Sequence, residues 1–356
     1  MVPTYSSNVI LAKARAMYGR RLTRANYREL LECRTVSEVA SYLKNQTSYG
    51  SILAGINESD IHRGQLEIRL RQKLFEDNSA LCRYEVTIGE HFANYLISRG
   101  EIEQILHSLV LLEGDVPEEY LFAMPAYLTA HTHLDLTALS HIRSYDDLLL
   151  AVSHTPYRKA LESFRPAPGV PLNYTGIENA LYTYLYGQVF EVIRKHTRGE
   201  TAAQLRQMFE SYIDLQNYLR IARLRFIHNE GIDVVRSALL PFGQLHERHL
   251  DALLEAQSQE ELVSIIRKTP VGMQFIKSQG SYAYVEQLMN RTKYRICRRD
   301  IRFSTHPSVV LMSYIFLMEI EVGDIITIVE GIRYQLAPDE IKSMLKHCRR
   351  VFAGFK

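Results

Sequence analysis

Apolar residues recur along this chain at the spacing of helices rather than of strands. Three segments carry apolar side chains at positions i, i+3, i+4 and i+7, the single stripe of an amphipathic helix. The stripes are Ile102-Ile105-Leu106-Leu109, Leu215-Tyr218-Leu219-Ala222 and Val322-Ile325-Ile326-Val329. Alternation at a period of two, which indicates a strand, is nearly absent. LYTYLY at Leu181–Tyr186 comes closest, but it occupies a helical position in the repeat described next. The pattern predicts an all-α protein.

The chain also repeats itself three times. SEVASYLKNQTSYG, SYDDLLLAVSHTPY and SQEELVSIIRKTPV each run from an acidic residue through an apolar helical segment to a threonine. These threonines, Thr47, Thr155 and Thr269, lie 108 and 114 residues apart. A repeat of this length is a whole small domain, so we predict three similar helical domains at residues 1–122, 123–237 and 238–356. We expect each threonine to cap the start of a helix.

Two acidic positions recur in register with the threonines. The first set is Glu67, Glu178 and Glu286, and the second set is Glu101, Asp214 and Glu321. The second set follows the first by 34, 36 and 35 residues, and a polar residue comes three positions later, at Gln104, Asn217 and Asp324. We expect the second acid to begin a helix, where it suits the helix dipole. The acid and the polar residue then brace helices inside each domain or, alternatively, line a shared cavity.

Composition narrows the classes of function. The chain has 356 residues, with 42 basic against 40 acidic side chains, whereas a nucleic-acid-binding protein usually shows a larger basic excess. The six basic residues between Lys13 and Arg28 are interpreted as a solvated helix face. Four scattered cysteines predict neither a zinc site nor a disulfide framework. No signal peptide is visible at the N-terminus, so we expect a reducing cytoplasm. The longest apolar stretch, VVLMSYIFLM at Val309–Met318, is too short to span a bilayer.

Two histidine pairs are the candidates for metal-dependent chemistry. His131 and His133 are separated by two positions in HTHLD, and on a helix such side chains diverge. His246 and His249 in HERH are spaced to share a metal but do not meet the HExxH pattern. We therefore predict no catalytic residue, cofactor or metal. A helical adaptor of another complex and a helical metalloenzyme remain as alternatives, and metal analysis of the purified protein discriminates the second.

Several stretches together resemble the C subunit of the V/A-type rotary ATPases, which corresponds to the d subunit of the eukaryotic vacuolar enzyme. The resemblance begins with AKARAMYGRRLTRANYRELLE and SEVASYL, and continues through DLQNYLRIARLR (Asp214–Arg225) and the hinge-like RSALLPFGQL (Arg236–Leu245). It ends with HPSVVLMSYIFLMEIEVGDIITIVEGIRYQL (His306–Leu336). Three positions depart from the family pattern: Asp324 and Gln104 stand where asparagine is usual, and Met318 stands where lysine is common.

The resemblance implies a fold and a non-catalytic role. Members of this family carry three helical domains in pseudo-threefold symmetry, which form a funnel. The funnel sits on the proteolipid rotor ring at the cytoplasmic face of a membrane and receives the central shaft, made of the D and F subunits. The resemblance therefore implies a central-stalk socket, without a cofactor, that couples ATP chemistry to proton or sodium transport.

Overall fold

The computed structural model describes residues 3–86, 88–167, 169–275 and 285–346, and every regular element within these ranges is a helix. This confirms the all-α prediction, and LYTYLY lies inside a long helix as expected. The first six helices are α1 (Pro3–Gly19), α2 (Arg24–Glu32), α3 (Val36–Gln46), α4 (Gly50–Leu53), α5 (Arg63–Cys82) and α6 (Gly89–Glu113). A 3₁₀ turn at Pro117–Glu119 precedes α7 (Tyr120–Ala123), α8 (Ala126–Thr129), α9 (Leu136–Leu139), α10 (Tyr145–Ala151), α11 (Tyr157–Glu162), α12 (Tyr174–His196) and α13 (Gly199–Phe226). The remaining helices are α14 (Ile232–Ser237), α15 (Glu247–Glu255), α16 (Gln259–Ile266), α17 (Val285–Phe303), α18 (Pro307–Arg333) and α19 (Pro338–Met344), with a 3₁₀ turn at Gly272–Phe275.

The repeat is visible in how α3, α10 and α16 begin. Each helix has a hydroxyl residue at its N-cap whose oxygen accepts the backbone N–H three positions on, and an acid at that third position. The acid in turn accepts the N–H of the residue before the cap, at 2.7–3.0 Å. The three pairs are Thr35 with Glu38, Ser144 with Asp147, and Ser258 with Glu261. The same local sequence pattern therefore caps the start of three different helices.

The helices that carry the second set of acids also end alike. Asp115, Asn229 and Gln335 each adopt a positive φ of 55–57° just beyond α6, α13 and α18. Their conformation lets the next backbone N–H reach back to a carbonyl of the last helical turn, at 2.8–2.9 Å. A short helix follows each turn: α7, α14 and α19.

The chain divides into two compact units. The first joins both ends of the sequence, Met1–Glu90 with Ser278–Lys356. Helix α18 is its centre, because it packs against α1, α3, α5, α17 and α19. Its first half, Ser308–Leu317, is buried on every side, which explains why this segment is apolar without the one-sided pattern of a surface helix.

The second unit, His91–Lys277, is built around α12 and α13. Phe209 on α13 lies fully buried against aromatic rings of α6 and α12, with centroid separations of 5.9–6.5 Å. Helix α13 also contacts the short helices α14, α15 and α16. The division into three domains, and their arrangement as a funnel, stay predictions.

Candidate functional site: three buried acids in equivalent positions

The second set of acids lies in the middle of the longest helices. Glu101 is in α6, Asp214 in α13 and Glu321 in α18, and all three are buried. The expectation that they begin helices is wrong, because these helices start 12–15 residues earlier, at Gly89, Gly199 and Pro307. The helix dipole therefore does not explain the acids. Each carboxylate must instead find hydrogen-bond donors from neighbouring elements, since an unpaired buried charge is costly.

Glu101 receives three donors. The Thr132 hydroxyl and the His133 backbone N–H donate to Oε1, at 2.7 and 3.0 Å. The Tyr157 hydroxyl donates to Oε2 at 2.6 Å. Burial, reinforced by the Glu101 carboxylate, raises the pKa of Tyr157, so the phenol remains protonated and keeps donating. The carboxylate thereby joins α6 to the turn before α9 and to the start of α11.

Glu321 has a matching environment in the other unit. The Leu22 backbone N–H donates to Oε2 at 2.8 Å, and the Tyr49 hydroxyl donates to Oε1 at 3.0 Å. Burial is the main cause that raises the pKa of Tyr49 well above its ordinary value, and the carboxylate adds to it. These bonds join α18 to the turn before α2 and to the turn before α4. A cavity of about 20 Å³ beside Glu321 has room for about one water and not for a substrate.

Asp214 is held less completely. Its carboxylate accepts the Gln244 backbone N–H at 3.1 Å. The tyrosine that follows the repeated threonine, Tyr49 or Tyr157, is replaced by Val271 in the third repeat. Burial raises the pKa of Asp214 to about 7, partly offset by the backbone N–H of Gln244 and reinforced by the nearby Glu210. This position therefore carries a carboxyl group that titrates near neutrality.

The three sites follow one rule. An acid of one predicted repeat accepts a backbone N–H from the turn just before a short helix of the next repeat, which is α9, α15 or α2. In two sites the acid also accepts the hydroxyl of the tyrosine after that repeat's threonine. In this order the acid of the third repeat binds donors of the first. That connection lies within the unit that contains both chain ends.

The polar residue three positions after each acid binds the segment that follows its own long helix. Gln104 accepts the Tyr120 hydroxyl at 2.9 Å. Asn217 binds both the carbonyl and the N–H of Leu240, at 2.9 and 2.8 Å. Asp324 accepts the Lys346 backbone N–H at 2.7 Å. Each acid and its polar neighbour thus tie two flanking segments to one helix, as bracing requires, although their role in the protein stays a prediction.

The repeated threonines lie in the turns after α3, α10 and α16. The hydroxyls of Thr47, Thr155 and Thr269 donate to the carbonyl three or four residues back, at 2.6–2.7 Å. The predicted helix-start cap is therefore wrong at Thr47 and Thr155, where helix begins at Gly50 and Tyr157 and the hydroxyl is already used by the preceding helix.

Thr269 does both tasks. Its oxygen accepts the Gly272 N–H at 3.1 Å, as an N-cap does, and accepts the Tyr218 hydroxyl at 2.8 Å. Tyr218 lies on α13 one turn beyond Asp214. The third repeat thus keeps a link between its threonine turn and the long helix, although it lacks the tyrosine at Val271.

The first set of acids does not form equivalent sites. Glu67 pairs with Arg63 and Arg71 on its own helix, at 3.0 and 2.9 Å. Glu178 on α12 pairs with Arg220 on α13 at 3.4 Å. The side chain of Glu286 lies outside the described residues. Partly exposed ion pairs of this kind contribute little to stability.

The histidine candidates lie in different settings. His133 is exposed in the turn between α8 and α9, where its backbone N–H serves Glu101. The rings of His246 and His249 are 6.4 Å apart at the start of α15. Within the described ranges, no group of three or more His, Cys, Asp or Glu residues is placed to hold a metal ion.

Sequence reasoning found the acids but missed their donors. Tyr49 and Tyr157 are fully buried and contribute the hydroxyls that satisfy Glu321 and Glu101. The available signal was the threonine-x-tyrosine sequence repeated in the first two copies. It was interpreted as a helix cap, whereas its tyrosine makes the long-range contact.

The fold and these sites define a class of protein: an all-α protein whose buried acids accept hydrogen bonds from its own backbone and hydroxyl groups. Comparison with known proteins is more specific. A sequence model of the ATP synthase (C/AC39) subunit family matches residues 10–344, and the chain belongs to this family. The A-type ATP synthase C subunit of Methanosphaera stadtmanae is 22% identical over 344 residues, covering 94% of this chain and 86% of that protein. The A-type ATP synthase C subunits of Thermococcus kodakarensis and Pyrococcus furiosus are each 19% identical, covering 94% of this chain and 88% of theirs.

Proposed function

We propose that this chain is the non-catalytic central-stalk subunit of a V/A-type rotary ATPase. It acts as a socket between the rotating shaft, made of the D and F subunits, and the proteolipid ring in the membrane. The observation that carries the proposal is the family match across residues 10–344. The complex would couple ATP chemistry to proton or sodium transport, with this protein bound peripherally at the cytoplasmic face. No helix in the described part of the chain is long and apolar enough to cross a bilayer.

The bracing of the long helices supports a mechanical role. A torque coupler must resist bending, and close-packed helices have low compressibility. Glu101 and Glu321 each tie their helix to two flanking segments through hydrogen bonds of 2.6–3.0 Å. Such bonds resist sliding of one helix along another better than apolar contacts, which are not directional.

Exposed apolar side chains after the long helices supply candidate partner contacts. They occur on or beside the short segments that follow α6, α13 and α18. The side chains are Leu121 and Phe122, then Ile227, Ile232 and Val234, then Tyr334 and Met344. Phe122 is 84% exposed. We propose that the exposed apolar side chains of the second unit, after α6 and α13, contact the proteolipid ring.

Affinity purification tests the proposal. A tagged chain, recovered from its native membranes in mild detergent and identified by mass spectrometry, should bring both shaft proteins and the proteolipid ring. Recovery of neither, from membranes that contain the intact rotary ATPase, would contradict the socket assignment.

A double variant refines the experiment. Phe122→Ser with Ile232→Ser should reduce recovery of the ring while the shaft proteins remain. Val170→Ser is the matched control, because this side chain is exposed in the loop before α12, away from the ends of the long helices. If the unaltered chain, the double variant and the control recover the ring equally, these apolar side chains do not contribute to the interface with the ring.

A further inference from the structure

Two distant segments of the sequence concentrate positive charge in one unit. Residues 8–28 contain six basic side chains and no acid, and residues 288–304 contain six basic side chains and one acid, Asp300. Together they hold twelve of the 42 basic residues and one of the 40 acidic residues, which leaves 30 basic and 39 acidic residues elsewhere. The whole chain is nearly neutral, but its positive charge is concentrated in these two segments.

The fold brings these segments together. Helices α1 and α17 pack against each other within the first unit. The Arg15 guanidinium on α1 donates to the carbonyls of Ile301 and Ser304 at the end of α17, at 2.8 and 2.7 Å. Three residues further along α1, Tyr18 lies close to both Arg21 and Arg298. The two basic segments therefore lie side by side, and the surface formed by α1, α17 and the start of α2 is named here the α1–α17 face.

Several cations of the α1–α17 face are held by neutral groups. Lys13 lies 3.7 Å above the ring of Tyr84. Arg21 donates to the Tyr18 carbonyl at 3.0 Å, and Arg15 is bound by carbonyls as described. Contacts of this kind orient a cation without cancelling its charge. The acid of the two segments, Asp300, pairs with Arg299 at 2.8 Å.

The accessible part of the face combines arginine with an aromatic ring. Arg20, Arg24 and Arg302 are exposed to solvent. Phe303, next to Arg302 at the end of α17, is 77% exposed. Arginine binds phosphate groups in a forked, two-bond geometry. Exposed phenylalanine beside basic residues is typical of surfaces that lie in the headgroup region of a membrane.

We propose that the α1–α17 face binds the surface of an anionic lipid bilayer. The arginines would contact lipid phosphates, and the Phe303 ring would enter the headgroup region. Two cations of the face are paired with acids, Arg299 with Asp300 and Lys293 with Glu319 of α18. A lipid surface fits better than an acidic protein, because the exposed arginines are accompanied by an exposed aromatic ring that can enter an apolar layer. The inference does not depend on the proposed partners in the rotary complex, since it concerns the isolated chain.

Vesicle co-sedimentation of the purified chain tests this proposal. Vesicles of phosphatidylcholine with about 30 mol% phosphatidylglycerol should bind the chain, and vesicles of phosphatidylcholine alone should not. The triple variant Arg20→Gln, Arg24→Gln, Arg302→Gln should bind the anionic vesicles roughly a hundredfold more weakly, from the usual contribution of each basic residue near such a surface. Phe303→Ser should lower the fraction that remains bound at about 0.5 M salt, where electrostatic attraction is screened.

The matched control is a second triple variant in the other unit. Arg158→Gln, Arg206→Gln, Arg248→Gln changes the net charge equally at exposed positions of the second unit, and should bind like the unaltered chain. Equal weakening in both triple variants would show a non-specific effect of net charge and overturn the proposal. A second outcome would also overturn the proposal. If the chain does not bind vesicles but binds polyglutamate, and this binding requires Arg20, Arg24 and Arg302, the partner of the face is an acidic protein and not a lipid surface.

Discussion

The titration of Asp214 provides the sharpest test of the buried-acid sites. Asp214 is 1% exposed, and its pKa is raised from 3.8 to about 7, chiefly by burial. The folded chain therefore holds this proton more tightly than the unfolded chain. The resulting stabilisation is complete below pH 3.8 and is lost as the pH rises through 7. An asparagine at this position does not titrate, so Asp214→Asn removes this pH dependence while an oxygen remains to accept the Gln244 N–H.

The magnitude follows from the two pKa values. Each unit of difference corresponds to about 1.4 kcal/mol, so the full effect is at most about 4 kcal/mol. Between about pH 4.5 and pH 8, the free energy of unfolding of the variant relative to the wild type should rise by about 3 kcal/mol. Any constant cost of the unpaired amide N–H₂ cancels from this change, because it is the same at every pH.

Urea unfolding followed by circular dichroism at 222 nm measures this difference. At each pH, the free energy of unfolding of the wild type is subtracted from that of the variant. The titrations of all other groups are common to both proteins and cancel in this difference. Asp233→Asn changes an exposed aspartate of the same unit and is expected to give a difference independent of pH. If the Asp214→Asn difference is also flat to within about 0.5 kcal/mol, the carboxyl group is ionised in the folded chain at all these pH values and the reasoning is refuted.

Three further substitutions test the hydrogen bonds and the packing around these sites. Tyr157→Phe removes the shortest donor to the first buried acid and should lower the free energy of unfolding by about 1–3 kcal/mol; an unchanged urea midpoint would contradict the bracing role. Gly243→Ala places a Cβ against the carboxylate of Asp214 and should lower the melting temperature by several degrees, whereas Gly64→Ala, in open space on α5, should not lower it. Ser144→Ala removes the N-cap of α10 and should cost about 1 kcal/mol, and Ser144→Thr should restore most of it.

The positions of the acids show where sequence reasoning succeeded and where it stopped. The fixed spacing predicted Glu101, Asp214 and Glu321 as equivalent, and the structure places all three as buried side chains in the middle of long helices. The same reasoning expected helix starts at these residues. It failed because the helices start 12–15 residues before each acid, at Gly89, Gly199 and Pro307. In α18 this earlier segment is buried and apolar on every side, so it lacks the one-sided pattern that marks a boundary.

The first set of acids shows the opposite outcome. Glu67 and Glu178 recur in register as clearly as the second set, yet one pairs within its own helix and the other across two helices. Regular spacing alone did not distinguish a buried site from a partly exposed ion pair. The difference depends on which face of the helix is covered by another element, and that is a property of the tertiary structure.

What the sequence determined by itself is local. Residues within a few positions of each other determine the helical period and the hydroxyl and acid caps of α3, α10 and α16. The same local patterns, repeated along the chain, give the threefold order of these elements. What the tertiary structure decided is which segments meet. The N–H of Leu22 and the hydroxyl of Tyr49 reach Glu321 across 299 and 272 positions of the chain, so an acid near one end is satisfied by donors near the other. No local pattern encodes such a pairing, because it follows from burial of the carboxylate in a core that exists only after the two ends of the chain have packed together.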